Sequence, residues 1–191
     1  MKLSPAMFPI TFQAARVGSV VAWMAEDKLV YGLKLADGGP KGINVLMLSD
    51  TARRVPGDLR TMDTNRQVLS VPDAVIEPDF GRFKMKGGEN SVRGELEVRE
   101  AGRVLMKTRS EHEDVEDYLV DLDTGEMVSY RTLPYDDKVF PLIVEAWSLV
   151  LPDRIDRTKR QTLVAFPIRP PEAPSGNRTA TAMDRPGSVR R

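Results

Sequence analysis

Apolar and polar residues alternate along much of this chain, at the two-residue period of a half-buried strand. Leu29, Tyr31, Leu33 and Leu35 alternate with Val30, Gly32 and Lys34, and Glu26-Asp27 reads as the tight turn before them. Val17 to Ala25 is expected to be the preceding strand, since Gly18 and the adjacent valines disfavour a helix. Ile43 to Leu48 carries apolar residues on both faces, as a central strand would. Gln67 to Val71 and Ala74 to Glu77 are short extended pieces around Pro72, and Thr162 to Phe166 is the last expected strand. Between them, Ser49 to Asn65 lapses into polar residues with Pro56-Gly57 and reads as a long connection with room for one helical turn.

The middle of the chain reads as a run of hairpins. Phe83 and Met85 alternate with Arg82, Lys84 and Lys86 before Gly87-Gly88-Glu89-Asn90. Leu96 and Val98 face Val104 and Met106 across Glu100-Ala101-Gly102, a three-residue loop closed by glycine. The opposite face of that hairpin, Glu95, Glu97, Arg99, Arg103 and Lys107, is expected to meet water. Tyr118 to Arg131 repeats the pattern around Asp123-Thr124-Gly125. A two-residue loop would put Tyr118, Val120 and Leu122 beside Met127, Ser129 and Arg131. A three-residue loop pairs Leu122 with Glu126 and puts the same three residues beside Val128 and Tyr130. The second register gives one coherent apolar face and is the one expected.

One stretch is expected to be a helix. Val139, Ile143, Ala146, Trp147 and Val150 fall on one face of a helix, with Asp136 or Asp137 as N-cap, Pro141 in the first turn and Pro152 as the stop. The architecture expected is therefore mainly β: an antiparallel barrel or sandwich built from short hairpins, with one helix near residues 138–151 and an extended C-terminal tail. Residues 1–168 are expected to form a single β-rich domain. Its N-terminal residues, about 1–16, read as an arm or strand in which Phe8, Ile10 and Phe12 alternate. Residues 169–191 hold four prolines and almost no large apolar residue, so burial cannot offset their ordering entropy. They carry five arginines against two acids, an excess that the body balances.

Composition narrows the chemistry. With 28 basic and 28 acidic residues the chain has no global field to attract nucleic acid or an anionic membrane. The absence of cysteine removes disulfides and thiolate chemistry. No apolar run reaches the roughly 18 residues of a membrane span, and Pro5, Pro9 and Gln13 interrupt any signal-like segment. A cytoplasmic protein, or part of a large assembly such as a virion, is the expectation.

Four arginines, Arg53, Arg54, Arg60 and Arg66, cluster in the polar 51–66 connection. Guanidinium groups on a loop beside a sheet can clamp a phosphate or carboxylate. Phe140, Ile143 and Trp147 on the expected helix, with Arg190 and Arg191 at the end of the tail, are candidate partner contacts. His112 lies in the acidic run Glu111 to Asp117, but a single histidine without a second nitrogen ligand gives no specific metal site, and none is expected. Gly38-Gly39-Pro40-Lys41-Gly42 lacks the spacing of a phosphate loop. Asp123-Thr124-Gly125 is the tripeptide of aspartic proteases, in which two such loops pair their carboxylates to activate water. One copy would require a homodimer, Glu126 stands where a small residue is usual, and a hairpin turn accounts for all three residues.

These features point first to a non-enzymatic structural, assembly or protein-binding β-domain with partner-engaging terminal arms. Its partner would be another protein or a second copy, with no cofactor and no nucleic acid. The alternative is a small anionic-ligand-binding β-barrel that uses the arginines of the 51–66 loop. A dimeric aspartic-protease-like enzyme comes third.

Overall fold

The computed structural model describes residues 7–36, 39–51, 55–85, 92–99, 102–110, 118–129, 141–153, 156 and 158–167. The first strands are β1 (Phe8–Thr11), β2 (Val20–Ala25), β3 (Lys28–Lys34), β4 (Val45–Met47), β5 (Asp58–Arg60) and β6 (Gln67–Val71). Next come β7 (Val75–Pro78), β8 (Phe83–Met85), β9 (Leu96–Val98), β10 (Val104–Lys107) and β11 (Arg109–Ser110). The last are β12 (Tyr118–Asp121), β13 (Met127–Ser129), β14 (Leu142–Val144), β15 (Trp147–Pro152) and β16 (Arg160–Phe166). Among the described residues the helical structure is a single 3-10 turn, Pro40–Gly42, and no helix is long and apolar enough to cross a membrane.

The strands form three sheets, in the orders β1-β6-β2-β3-β4-β5-β11, β13-β12-β10-β9-β14-β8 and β16-β15-β7. All pairings are antiparallel except β11 with β5. The described strands do not close into a barrel. One core lies between the sheets. The first contributes Val20, Ala22, Tyr31, Leu33 and Leu46, the second Leu96, Met106, Val120 and Val144, the third Trp147, Leu149 and Leu151. The alternate residues of the first sheet form a second cluster, with Trp23, Val30, Val45 and Met47 covered in part by Phe12 and Met62. Val45 to Leu48 is apolar at every position because both faces of β4 are buried. Residues 8–11 are not a free arm: they pair with β6, and Phe12 is buried behind them.

The helix expected near 138–151 is replaced by two strands where the chain is described. Leu142–Val144 lies in the second sheet and Trp147–Pro152 in the third. The chain bends between them, where Glu145 N–H donates to the Arg82 carbonyl and Asp79 N–H donates to the Ala146 carbonyl. The β7–β8 segment makes the same crossing alongside, pairing β15 and then β14. Strands buried on both faces produce a continuous apolar run, which imitates a buried helix in sequence. Likewise β5 is a strand inside the expected long connection of Ser49 to Asn65.

The hairpin around Asp123 also departs from expectation. Its loop has four residues, Leu122 to Gly125, and Val120 faces Met127 while Leu119 faces Val128. Asp121 begins the turn early: its Oδ1 accepts from the N–H groups of Asp123 and Thr124, each at 3.0 Å. Gly125 N–H then donates to the Asp121 carbonyl at 2.9 Å. Leu119 and Val120 are both fully buried, so the rule of one apolar face carried no register information here. Gly125 (φ +71°) faces the end of β3, where an added Cβ would lie 2.7 Å from the Lys34 carbonyl oxygen.

The charged face of the β9–β10 hairpin does not meet water throughout. Glu97 is fully buried and Glu95 nearly so. Neighbouring strands bring Leu105 and Ile143 beside Glu97, which no single hairpin sequence reveals. Each acid has a cation: Glu97 with Arg99 at 2.8 Å, Glu95 with Lys84 at 3.0 Å, and Asp121 with Arg103 at 2.5 Å.

Two predictions follow from this packing. Gly94 (φ +86°) abuts the Phe166 ring, which an added Cβ would approach to 2.9 Å. Gly94→Ala should therefore destabilise the fold by roughly 1–3 kcal/mol in denaturant titration; an unchanged midpoint would show that this contact relaxes freely. The second concerns Asp121. Burial would raise its carboxyl, but the Arg103 guanidinium and the Thr124 and Asp123 N–H groups outweigh burial and hold its pKa below the ordinary value. Its stabilisation is thus present above the unfolded value of about 3.9 and is lost as pH falls through the lower folded value. Asp121→Asn should cost about 1–2 kcal/mol at neutral pH and flatten the acid limb of the stability curve. An acid limb unchanged in the variant would assign it to other carboxylates.

Candidate functional site

Arg60 and Arg66 come together at one cavity of about 310 Å³ on the outer side of the first sheet. Its floor is the second apolar cluster, chiefly Trp23, Val30, Val45 and Met47. Arg60 reaches it because β5 pairs with β4 and sets Arg60 opposite Val45, on the same face. Arg66 arrives on the loop that precedes β6, and its Nη2 donates to the Met24 carbonyl at 3.3 Å.

A buried amide holds that loop in place. Asn44 Nδ2 donates to the Met62 carbonyl at 2.9 Å, and Asn44 Oδ1 accepts from Met62 N–H at 2.8 Å. This two-point bond imitates a strand pairing and fixes Met62 over the cavity floor. The following turn is pinned by Asp63, whose Oδ1 accepts from Asn65 N–H and whose carbonyl accepts from Arg66 N–H.

The lip of the cavity carries acids as well as bases. Asp63 and Glu26 both line it. Glu26 and Asp27 form the two-residue β2–β3 turn with φ of 51° and 60°. Such turns need positive φ at both central residues and favour Asn-Gly. A glutamate there is held against its backbone preference, and strain of this kind collects at ligand sites.

Arg53 and Arg54 lie outside the described residues, as do Phe140, Arg190, Arg191 and the His112 run. Ile143 and Trp147 are 1% exposed. They sit in strands rather than on one helix face, and Trp147 is a core residue. Among the described residues no group of three or more His, Asp or Glu is placed to hold a metal ion. The turn at Asp123-Thr124-Gly125 packs on its own chain, with the Gly125 carbonyl accepting from Ala36 N–H at 3.1 Å.

Sequence reasoning missed Glu26, Asp63, Trp23 and Asn44 as neighbours of the arginines. The Glu26-Asp27 turn, where Asn-Gly is the usual choice, was the available signal. The long separation of Trp23 and Asn44 from Arg66 left no local trace. A second cavity, about 630 Å³, lies at the junction of the first and third sheets and includes Trp147. No protein-family model, no curated protein and no solved structure matches this chain, so the site rests on its own geometry.

Proposed function

We propose that this chain is a non-enzymatic binding module that holds a small anionic compound in the Arg60–Arg66 cavity. The observation that carries the reading is that two arginines from separate elements line one apolar-floored cavity. Planar guanidinium groups pair with carboxylate or phosphate oxygens in two-point geometry. Trp23 and Met47 offer an apolar surface for the body of the ligand. Glu26 and Asp63 on the lip disfavour a highly charged anion and suit a compound that also carries a cationic or donor group.

Thermal unfolding in the presence of inorganic phosphate, citrate and amino-acid probes tests this reading. A probe at about 100 times its Kd should stabilise the protein by about 2.7 kcal/mol. The gain should weaken with salt and vanish in an Arg60→Gln/Arg66→Gln double variant. Stabilisation that persists in the double variant would place the ligand elsewhere, and no stabilisation by any anion would remove the reading.

A second reading, a protein-binding or self-assembling domain, is supported by the edge of the third sheet. β16 has seven residues, and no described strand pairs with its outer side. Gln161 to Phe166 carries no charge, whereas exposed edges are usually guarded by lysine or proline. Such an edge can accept an added strand from a partner. Native mass spectrometry should then show a dimer or higher oligomer that Val164→Lys dissociates; a monomer at all concentrations would limit this reading to partners of another sequence.

A further inference from the structure

The larger cavity has a different chemistry from the arginine site. It opens between β3, the bend at residues 79–82 and the β15–β16 pair. Leu29, Ala146, Leu163 and Phe166 give it an apolar, partly aromatic wall. Phe166 is stacked on Trp147, with ring centroids 5.6 Å apart and planes inclined by 16°. Trp147 is fixed in turn by its indole N–H, which donates to the Gly94 carbonyl at 2.7 Å. The wall is therefore rigid before any ligand arrives, which lowers the ordering cost of binding.

Tyr31 supplies the second observation. It is 7% exposed and lines the cavity. Its backbone N–H donates to Ser49 Oγ at 2.8 Å, yet among the described residues its phenol hydroxyl has no hydrogen-bond partner. Tyr31 lines the cavity, and its hydroxyl keeps some exposed surface. Burial pushes this phenol above its ordinary pKa, so it keeps its proton and acts as a donor. A tyrosine buried to this degree usually has a partner for its hydroxyl.

Charge at the mouth selects among ligands. Arg82 lines the cavity, is exposed and forms no ion pair among the described residues. Asp50 and Asp79 line the same cavity. Asp79 is partly engaged, since its Oδ1 accepts from Gly81 N–H at 3.0 Å. The excess of acid over base on this lining repels a polyphosphate, and one guanidinium can pair with a single carboxylate.

We propose that this cavity is a second ligand site, specific for a planar aromatic monocarboxylic acid that bears a ring oxygen substituent. The ring lies against Phe166, the carboxylate pairs with Arg82 at the mouth, and Tyr31 donates to the oxygen at the inner end. The assignment is independent of the Arg60–Arg66 reading, because the two cavities share no residue.

Calorimetric titration of the full chain with 6-hydroxy-2-naphthoate tests it. Saturable binding is expected at one molecule per chain. Arg82→Gln should weaken it about 10-fold or more, as loss of a charge-assisted pair does. Tyr31→Phe keeps the buried ring and should weaken it about 5-fold; its thermal melt confirms that the variant is folded. 2-Naphthol, which lacks the carboxylate, should bind about 10-fold more weakly or not at all. Arg66→Gln should leave the affinity unchanged. Absence of saturable binding, wild-type affinity in either Arg82→Gln or Tyr31→Phe, or loss of binding in Arg66→Gln overturns the assignment.

Discussion

Trp147 is the side chain on which the arrangement of the sheets depends. It is the largest of the fully buried side chains. Its indole N–H reaches the Gly94 carbonyl, just ahead of β9, and its ring stacks on Phe166 at the end of β16. One residue thus fastens the third sheet to the second. Truncating a tryptophan in such a position removes packing on the order of 3–5 kcal/mol and leaves a buried carbonyl without its donor. The same ring backs the wall of the larger cavity, so stability and the shape of that site share one contact.

The second sheet meets a different constraint: it carries acids where strands from three parts of the chain converge. Glu95, Glu97 and Asp121 are buried, and each is matched by a lysine or arginine whose side chain is more exposed. Buried ion pairs add little net stability, because desolvation offsets their attraction, but breaking one strands the remaining charge. Their effect here is on geometry. Asp121 pairs through one oxygen with Arg103, just ahead of β10, and shapes the following turn through the other. That turn then meets the end of β3 at Gly125 and so links the second sheet to the first.

Strand alternation distributes the two candidate sites. Along β3, Leu29 and Tyr31 line the larger cavity, while Val30 lines the arginine cavity on the opposite face. The first sheet is therefore a partition with a cavity on each side, rigid because both of its faces are packed. The acidic turn Glu26-Asp27 closes the β2–β3 hairpin at the same end as Leu29, so the hairpin that builds the partition also carries the strained lip.

Much of the strand order was legible in the sequence, wherever one face was apolar and the turn chemistry was local. The pairs Val98–Val104 and Leu96–Met106, the Glu26-Asp27 turn and the strand at Thr162 to Phe166 all follow from alternation and short loops. Legibility failed where both faces are buried. Leu119-Val120 could not choose a register, and Leu142 to Leu151 imitated a helix, because alternation disappears when neither face meets water. The clustering of Arg60 and Arg66 was visible as proximity along the chain. Their apolar floor was not, since Trp23, Val30 and Met47 come together only through strand pairing within the first sheet. Local turn chemistry and composition are properties of neighbouring residues and so belong to the sequence alone. Burial of Glu97, the crossing between sheets at Glu145-Ala146 and the burial of Tyr31 depend on distant strands, and only the tertiary structure decided them.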